Sequence, residues 1–382
     1  MKSILSILLI LSLAVATPLS AQDGDDEVDF LALAALMLRD GNIDRAIIAL
    51  DQFDPTAEDA DAVRYYTLRG MAHMRRNELE PARDALLQAV GAGEAEPVVY
   101  VYLAQVNYKL EDYRAAIEAL DKAGSTVERV PSVYHMRAQA YWLLEEPVMA
   151  LATLDQASQI FPDDSSFQRR KVFYLIDLGL FKQAVAEGKD YLESSRGGLE
   201  DYVALGNALR ASGELDEAAA LLEEAQLLFP DSPDVRKVLA HVYIEREEMN
   251  AAADVLYTAA LLQPELLGEA AELYRRSGQT YRALTLNGQL LNQPEKYRQR
   301  LALYLELENF EQAAAMEGPL RRVGLLDDED LRYAIAYAHF KVGDFAAAER
   351  HLASLNRPDL FRKAAELRRA IQDCTEDHWK CL

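Results

Sequence analysis

The sequence predicts an all-α solenoid of about ten helix-turn-helix repeats that ends in a capping helix. Two observations predict it: a small residue recurs every 34 residues through much of the chain, and a second small residue recurs twelve positions before most of these. The length agrees, because 382 residues exceed the roughly 250–300 residues at which a single hydrophobic core stops growing. Repeats escape that limit, since each one buries its apolar face only against its neighbours.

The first set of small residues, the alanine column, lies in the second helix of each repeat. Six of these alanines follow one another at intervals of 34 residues, and four more continue the register at intervals of 30 to 36. The column consists of Ala46, Ala82, Ala116, Ala150, Ala184, Ala218, Ala252, Ala283, Ala313 and Ala348.

The second set, the first-helix column, holds Ala or Gly in eight of ten repeats. Its members are Ala34, Gly70, Ala104, Ala138, Val172, Gly206, Ala240, Ala271, Leu301 and Ala336. Two columns of small residues predict two helices in close contact, because a missing side chain lets backbones approach.

Signals for the ends of helices fall at fixed places relative to these columns. A residue that tolerates the left-handed conformation separates the two helices in six repeats: Gly41, Asn77, Gly179, Gly213, Gly278 and Gly343. Pro162, Pro230 and Pro264 follow their alanines by twelve residues and should end the second helix, since proline cannot donate to the helical ladder. Leucine lies four residues after the alanine in seven repeats, on the same helical face: Leu50, Leu86, Leu120, Leu154, Leu222, Leu256 and Leu352.

The pattern resembles the tetratricopeptide repeat over roughly residues 27–356. The resemblance lies in the period, the small residues of both helices, the closing prolines and an aromatic slot in the first helix, filled by Tyr141, Tyr243, Tyr274 and Tyr304. It implies a right-handed superhelix of antiparallel helix pairs, whose concave surface is lined mainly by first helices. Val172 and Gly188 depart from the pattern in the fifth repeat, as do Asn287, Leu301 and Glu317 in the eighth and ninth. A regular groove is therefore least expected between about residues 265 and 325.

The ends of the chain complete the predicted organisation: a signal peptide at residues 1–21, the solenoid at 22–356, and a capping helix with a cysteine-containing tail at 357–382. Lys2 is the only charge before Asp23, and an apolar stretch too short to span a bilayer comfortably follows it. We favour cleavage after Ala21; a cut after Ala16, or an uncleaved anchor or buried helix, is the alternative. The absence of cysteine near the cut argues against a lipoprotein. The mature chain, which lacks a later run of ~20 apolar residues, is expected in the periplasm without membrane insertion.

The net charge and the motifs that the sequence lacks disfavour several classes of function. A formal charge of −23 disfavours nucleic acids and anionic lipid headgroups as partners. Phosphate loops, nucleophile elbows, dinucleotide fingerprints and His-Glu-x-x-His are missing from the sequence, and no two of its six histidines are spaced i, i+3 or i+4. We therefore expect no enzyme, no cofactor and no metal, with each histidine at a surface or groove position.

The only two cysteines, Cys374 and Cys381, follow the last predicted helix. Export exposes a chain to oxidising conditions, so a local disulfide is the preferred interpretation. Two free thiols, or a bond to a partner, remain alternatives.

A partner surface is predicted on the first helices, at positions four before, one after and four after the small residue. In repeats three to five this stripe includes Gln105, Tyr108, His135, Gln139, Trp142, Arg169 and Phe173, where aromatic anchors would bind a protein or an extended peptide, or would only fill the superhelix interior. In repeats six and seven it includes Asn207, Arg210, Lys237 and His241. Cations and an amide could hold a carboxylate there, in partial resemblance to the carboxylate clamp of chaperone-binding tetratricopeptide proteins, or could simply be solvated.

These features predict a non-catalytic periplasmic scaffold that mediates protein–protein interaction in the cell envelope. The overall plan and the ending Leu367–Cys374 also resemble exported tetratricopeptide proteins described as components of TonB energy-transduction systems. That resemblance implies a TonB/ExbB/ExbD-type complex as the partner. The alternative is an assembly factor for outer-membrane, cell-wall or exopolysaccharide machinery.

Overall fold

The computed structural model of the chain describes residues 28–376, which consist of helices and their connections and contain no β-strand. The predicted signal peptide and Cys381 lie outside the described residues, so the export signal and the disulfide stay predictions. The all-α prediction is confirmed. Within residues 28–376, no helix has the combination of length and apolarity that a membrane span requires.

The chain forms two compact units, residues 1–153 and 154–382. The described part of the first unit contains α1 (Phe30–Arg39), α2 (Ile43–Leu50), α3 (Ala62–Arg75), α4 (Leu79–Ala92), α5 (Pro97–Lys109), α6 (Tyr113–Lys122), a 3₁₀ turn (Gly124–Val127), α7 (Pro131–Leu143) and the beginning of α8 (Pro147–Ile160). In sequence order these helices are the two members of repeats one to four.

The second unit contains the remaining repeats and the terminal helix. After the end of α8 come α9 (Ser166–Asp177), α10 (Phe181–Ser194), α11 (Leu199–Ser212), α12 (Leu215–Leu228), α13 (Pro233–Glu245), α14 (Met249–Ala260), α15 (Leu267–Arg276), α16 (Thr280–Gln289), α17 (Gln293–Glu306), α18 (Phe310–Ala315), α19 (Glu317–Arg322), α20 (Glu329–Lys341), α21 (Phe345–Leu352) and α22 (Pro358–Glu376). Short 3₁₀ turns at Pro264–Leu266 and Leu325–Asp327 precede α15 and α20.

Both columns of small residues are buried. All ten residues of the alanine column have no exposed surface, and every member of the first-helix column is buried as well. In each compact unit the two helices of a repeat pack on each other, and the second helix packs on the first helix of the following repeat. Small residues at these contacts bring the backbones together, which is the packing that the two columns predict.

Local sequence explains where the helices begin. The side chains of Asp29, Asp61, Asp112, Asn292, Asp328 and Asp344 accept hydrogen bonds from backbone N–H groups of the first helical turn. Proline occupies an initial position of α5, α7 and α13, where its missing N–H costs nothing. The second helices α8 and α12 end two residues before Pro162 and Pro230, as predicted.

The turn between the two helices has one backbone conformation in all ten repeats. The residue five positions before each member of the alanine column has a positive φ, between +54° and +85°. Six of these residues are the Gly and Asn that the sequence marks. The other four are Glu111, Glu145, Glu247 and Glu308, a residue type that does not by itself predict the left-handed region.

Two departures from the repeat pattern are compensated locally. Gly188 replaces the usual leucine of the fifth repeat, and Leu205 fills the space: a Cβ on Gly188 would lie 2.1 Å from the Leu205 Cδ2. Asn287 replaces it in the eighth repeat and is completely buried. Its amide nitrogen donates to the Lys296 carbonyl at 2.9 Å, and its oxygen accepts from the Arg300 Nε at 2.7 Å, so this buried polar side chain is satisfied.

The ninth repeat has a broken second helix. Pro319 lacks the N–H that would donate to the Ala315 carbonyl, and the helix stops at Ala315 and resumes at Glu317. Farther on, α22 packs against α20 and α21 as the predicted capping helix, with Leu360 and Leu367 buried against the tenth repeat. Cys374 is buried near the end of α22.

Candidate partner-binding surfaces

In the first compact unit, five predicted binding residues lie on two first helices that contact each other, α5 and α7. Gln105 and Tyr108 belong to α5, and His135, Gln139 and Trp142 belong to α7; all five are partly exposed. The Tyr108 ring packs edge-on against Tyr113, with ring centroids 5.4 Å apart. We call these five residues the α5–α7 stripe. It offers aromatic and amide groups to a ligand.

In the second compact unit, Arg169 has an internal role. Its Nε donates to the Asp201 Oδ1 at 2.6 Å, its Nη2 donates to Glu200 at 2.9 Å, and its guanidinium lies 4.8 Å from the centre of the Phe173 ring. Asp201 is buried and also accepts from the Tyr191 hydroxyl at 3.0 Å. Arg169 and Phe173 therefore join α9 to α11 and are already engaged within the unit.

The cations predicted to hold a carboxylate have carboxylate partners in their own chain. Arg210 donates to Glu245 at 2.6 Å, and the Lys237 ammonium lies 2.7 Å from Asp234. The Asn207 amide donates to the Val203 carbonyl one turn earlier on α11, at 3.0 Å. A bound carboxylate would have to displace these interactions. His241 is exposed on α13.

Two residues of the predicted aromatic slot connect successive repeats. The Tyr243 hydroxyl donates to Glu223 at 2.5 Å, and the Tyr274 hydroxyl donates to Asp254 at 2.7 Å. Burial, followed by these carboxylate contacts, raises the pKa of each tyrosine to about 12. At these two positions of the aromatic slot, a neutral tyrosine hydroxyl therefore donates a hydrogen bond to a carboxylate on the preceding second helix.

The sequence analysis missed a row of exposed leucines at the ends of the second helices in repeats six to eight. This leucine row consists of Leu227, Leu228, Leu261, Leu262 and Leu291, with exposed fractions of 84%, 53%, 64%, 48% and 88%. A recurrent signal marks it, because a Leu-Leu pair lies two to four residues before Pro230, Pro264 and Pro294. Leu227 and Leu228 lie nine and ten residues after Ala218, and Leu261 and Leu262 lie nine and ten residues after Ala252, so the two pairs hold equivalent positions in successive repeats.

A second missed feature joins the ninth and tenth repeats. His339 and His351, expected separately at surface or groove positions, are both buried, and their rings stack with centroids 5.8 Å apart. The Nε2 atoms of His339 and His351 lie 3.0 Å and 3.4 Å from oxygens of Glu317. Among the residues that the structure describes, these three form the one group with the composition and spacing of metal ligands.

Comparison with known proteins gives a consistent picture of the fold. A family model described as tetratricopeptide repeat matches residues 209–276, which include α12, α13 and α14. No match was found among curated proteins. The C-terminal part of a TPR repeat-containing protein from Cytophaga hutchinsonii is similar in structure, with a TM-score of 0.52 at 12% identity, over 61% of this chain and 95% of that chain.

Two further solved structures are similar over less of the chain. MamA, from residue 41 to its end, from Desulfovibrio magneticus RS-1 has a TM-score of 0.39 at 16% identity, over 44% of this chain and 96% of that one. YrrB, described as a TPR protein with an unusual peptide-binding site, has a TM-score of 0.39 at 19% identity, over 48% and 94%. The family match, the fold and the ten buried alanines agree that the chain contains tetratricopeptide repeats.

Proposed function

We propose that this protein is a non-catalytic scaffold that binds other proteins in the periplasm. The observation that carries the proposal is the leucine row, because five leucines that are 48–88% exposed at the ends of three successive second helices are unusual on a chain with a net charge of −23. Clustered exposed apolar side chains mark sites where a protein meets a partner. A partner with an apolar face would gain free energy by removing these side chains from water.

The α5–α7 stripe is the second surface of the proposal. Interfaces concentrate their binding energy in aromatic anchors, and Trp142 and Tyr108 on adjacent helices supply two of them. Gln105 and Gln139 add amides that can bind the backbone of an extended peptide. An extended segment is thus the ligand proposed for this stripe, and a folded apolar face is the ligand proposed for the leucine row.

Location in the periplasm rests on the predicted signal peptide. Within the envelope, the resemblance of the chain's plan and ending to TonB-system proteins supports an accessory role beside a TonB/ExbB/ExbD-type complex. Deletion of the gene is then expected to lower iron–siderophore uptake, measured with radiolabelled iron. Unchanged uptake would contradict the TonB assignment and favour the assembly-factor alternative, while leaving the scaffold proposal to its own test.

Affinity capture from an envelope extract tests the scaffold. We expect the Leu227→Ser, Leu261→Ser double variant to lose partners that the parent protein recovers, and the Trp142→Ala, Gln139→Ala double variant to lose a different, peptide-like set. An Ile48→Ser, Leu87→Ser variant is the matched control, since it removes two apolar side chains that are 63% and 49% exposed on α2 and α4. Equal recovery of every partner by all four proteins would refute both surface assignments.

A further inference from the structure

Glu317, His339 and His351 come from three helices, α19, α20 and α21. His339 lies three residues after Ala336 in the first-helix column, and His351 lies three residues after Ala348 in the alanine column. The helices α20 and α21 pack on each other, and the two imidazole rings stack with centroids 5.8 Å apart. Glu317 comes from the preceding repeat, where it occupies the position that is leucine in seven other repeats.

The spacing of the ligand atoms suits a small cation. Zinc binds imidazole nitrogen at about 2.0–2.1 Å and carboxylate oxygen at about 2.0–2.2 Å, so two ligands on a tetrahedral ion lie roughly 3.3 Å apart. The two distances from Glu317 oxygens to imidazole Nε2 atoms, 3.0 Å and 3.4 Å, bracket that value. All three ligand atoms lie within 4.8 Å of one another.

A carboxylate next to His339 also suits a metal site. The other ring nitrogen of His339, Nδ1, is buried without a hydrogen-bond partner within residues 28–376 and lies 3.6 Å from the Asp344 Oδ2, so a metal on Nε2 would place the Nδ1 proton beside the kind of carboxylate that orients many metal-binding histidines.

We propose that Glu317, His339 and His351 bind one divalent late first-row transition ion, with Zn²⁺ the best fit. Two imidazoles and one carboxylate are the ligand set that zinc shares with its neighbours in the series, and alkaline-earth ions prefer oxygen alone. Glu317 keeps 22% of its side chain exposed, so a fourth position is open to water.

Two existing interactions must yield: the 3.0 Å hydrogen bond between the His339 Nε2 and Glu317, and an ion pair of Glu317 with Arg321. Arg321, one turn after Glu317 on α19, forms an ion pair with it through the oxygen that also faces His351. The Arg321 side chain is 68% exposed, and exposed pairs of this kind contribute little, so displacing it opposes binding weakly. A divalent ion also supplies more positive charge to Glu317 than the guanidinium that it replaces.

Titration of the tag-free, metal-stripped chain tests the site. We expect calorimetry with Zn²⁺ to show one saturable site per chain. Co²⁺ should give visible absorption bands of four-coordinate intensity, without the near-ultraviolet band of a cobalt–thiolate bond, which separates this site from the cysteines of the tail. His351→Gln and Glu317→Gln should each weaken that step at least 10-fold, by analogy with losses measured when even outer partners of zinc ligands are removed.

Two further variants separate metal binding from a structural role. Asp344→Asn keeps a side chain that can cap α21 but removes the carboxylate beside His339, and about 10-fold weaker binding is expected. His241→Gln removes an exposed histidine on α13 and should leave the titration unchanged. The absence of a saturable step in the parent, or equal binding by parent, His351→Gln and Glu317→Gln, would overturn the proposal and leave the cluster as an ion-pair network. Far-ultraviolet circular dichroism of each variant shows whether it has the parent's helical content.

Discussion

Four turns between helices have a glutamate in the left-handed region, and we predict that replacing each glutamate with glycine will stabilise the protein. Glu111, Glu145, Glu247 and Glu308 have φ values of +62°, +58°, +63° and +54°. An L-residue pays about 1–2 kcal/mol for this conformation, and glycine adopts it freely. Against this gain, glycine loses about 0.5–1 kcal/mol more conformational free energy than other residues on folding. Each Glu→Gly substitution should therefore raise the free energy of unfolding by on the order of 0.5–1 kcal/mol.

The side chains add little to this balance. All four glutamates are exposed, and none of them forms an ion pair within residues 28–376. The sites lie in different repeats without shared contacts, so their effects should add to within a few tenths of a kcal/mol. The quadruple variant is then expected to gain about 2–4 kcal/mol.

Guanidinium denaturation followed by circular dichroism measures the gain as a higher midpoint. Long repeat arrays can unfold in more than one step, so parent and variant are compared over the whole transition. Glu118→Gly, at an exposed position inside α6, is the matched control and should lower stability by about 1 kcal/mol, because there glycine replaces a good helix former at negative φ. A quadruple variant with an unchanged or lower midpoint would refute the assignment of strain to these turns.

The structure supports two further predictions. Gly188→Ala should lower stability by about 1–3 kcal/mol, because the new Cβ would lie 2.1 Å from Leu205; Gly91→Ala, where a Cβ meets nothing within 4 Å, is the control, and equal midpoints for the two variants would contradict the packing argument. Tyr274 has its pKa raised from 10.0 to about 12 in the folded state, so its contribution to stability is complete below pH 10 and is lost as the pH rises from about 10 to 12. Urea denaturation across that range should therefore show that the free energy of unfolding changes less with pH in Tyr274→Phe than in the parent or in the control Tyr281→Phe, which changes an exposed tyrosine. Equal slopes in all three proteins would argue against the raised pKa of Tyr274.

The sequence alone was sufficient to predict the repeat architecture, because the columns of small residues follow from a packing requirement that every repeat must satisfy. A helix pair cannot approach closely with larger residues at both contact positions, and the ten alanines are all completely buried. The same reasoning located six of the ten turns, where Gly or Asn marks the left-handed residue. It failed at the four glutamates, because the flanking helices impose the turn and outweigh the preference of the residue within it.

Contacts between repeats were decided only by the tertiary structure. Sequence placed Arg169, Arg210 and Lys237 on one helical stripe but could not show that nearby carboxylates already bind them. The Leu-Leu pairs before Pro230, Pro264 and Pro294 are visible in the sequence, but their exposure depends on where each helix ends relative to its neighbours. The period of the sequence thus determines which residues belong to each repeat. It does not determine that Glu317 lies beside two histidines 22 and 34 residues away, because that proximity depends on how three helices pack.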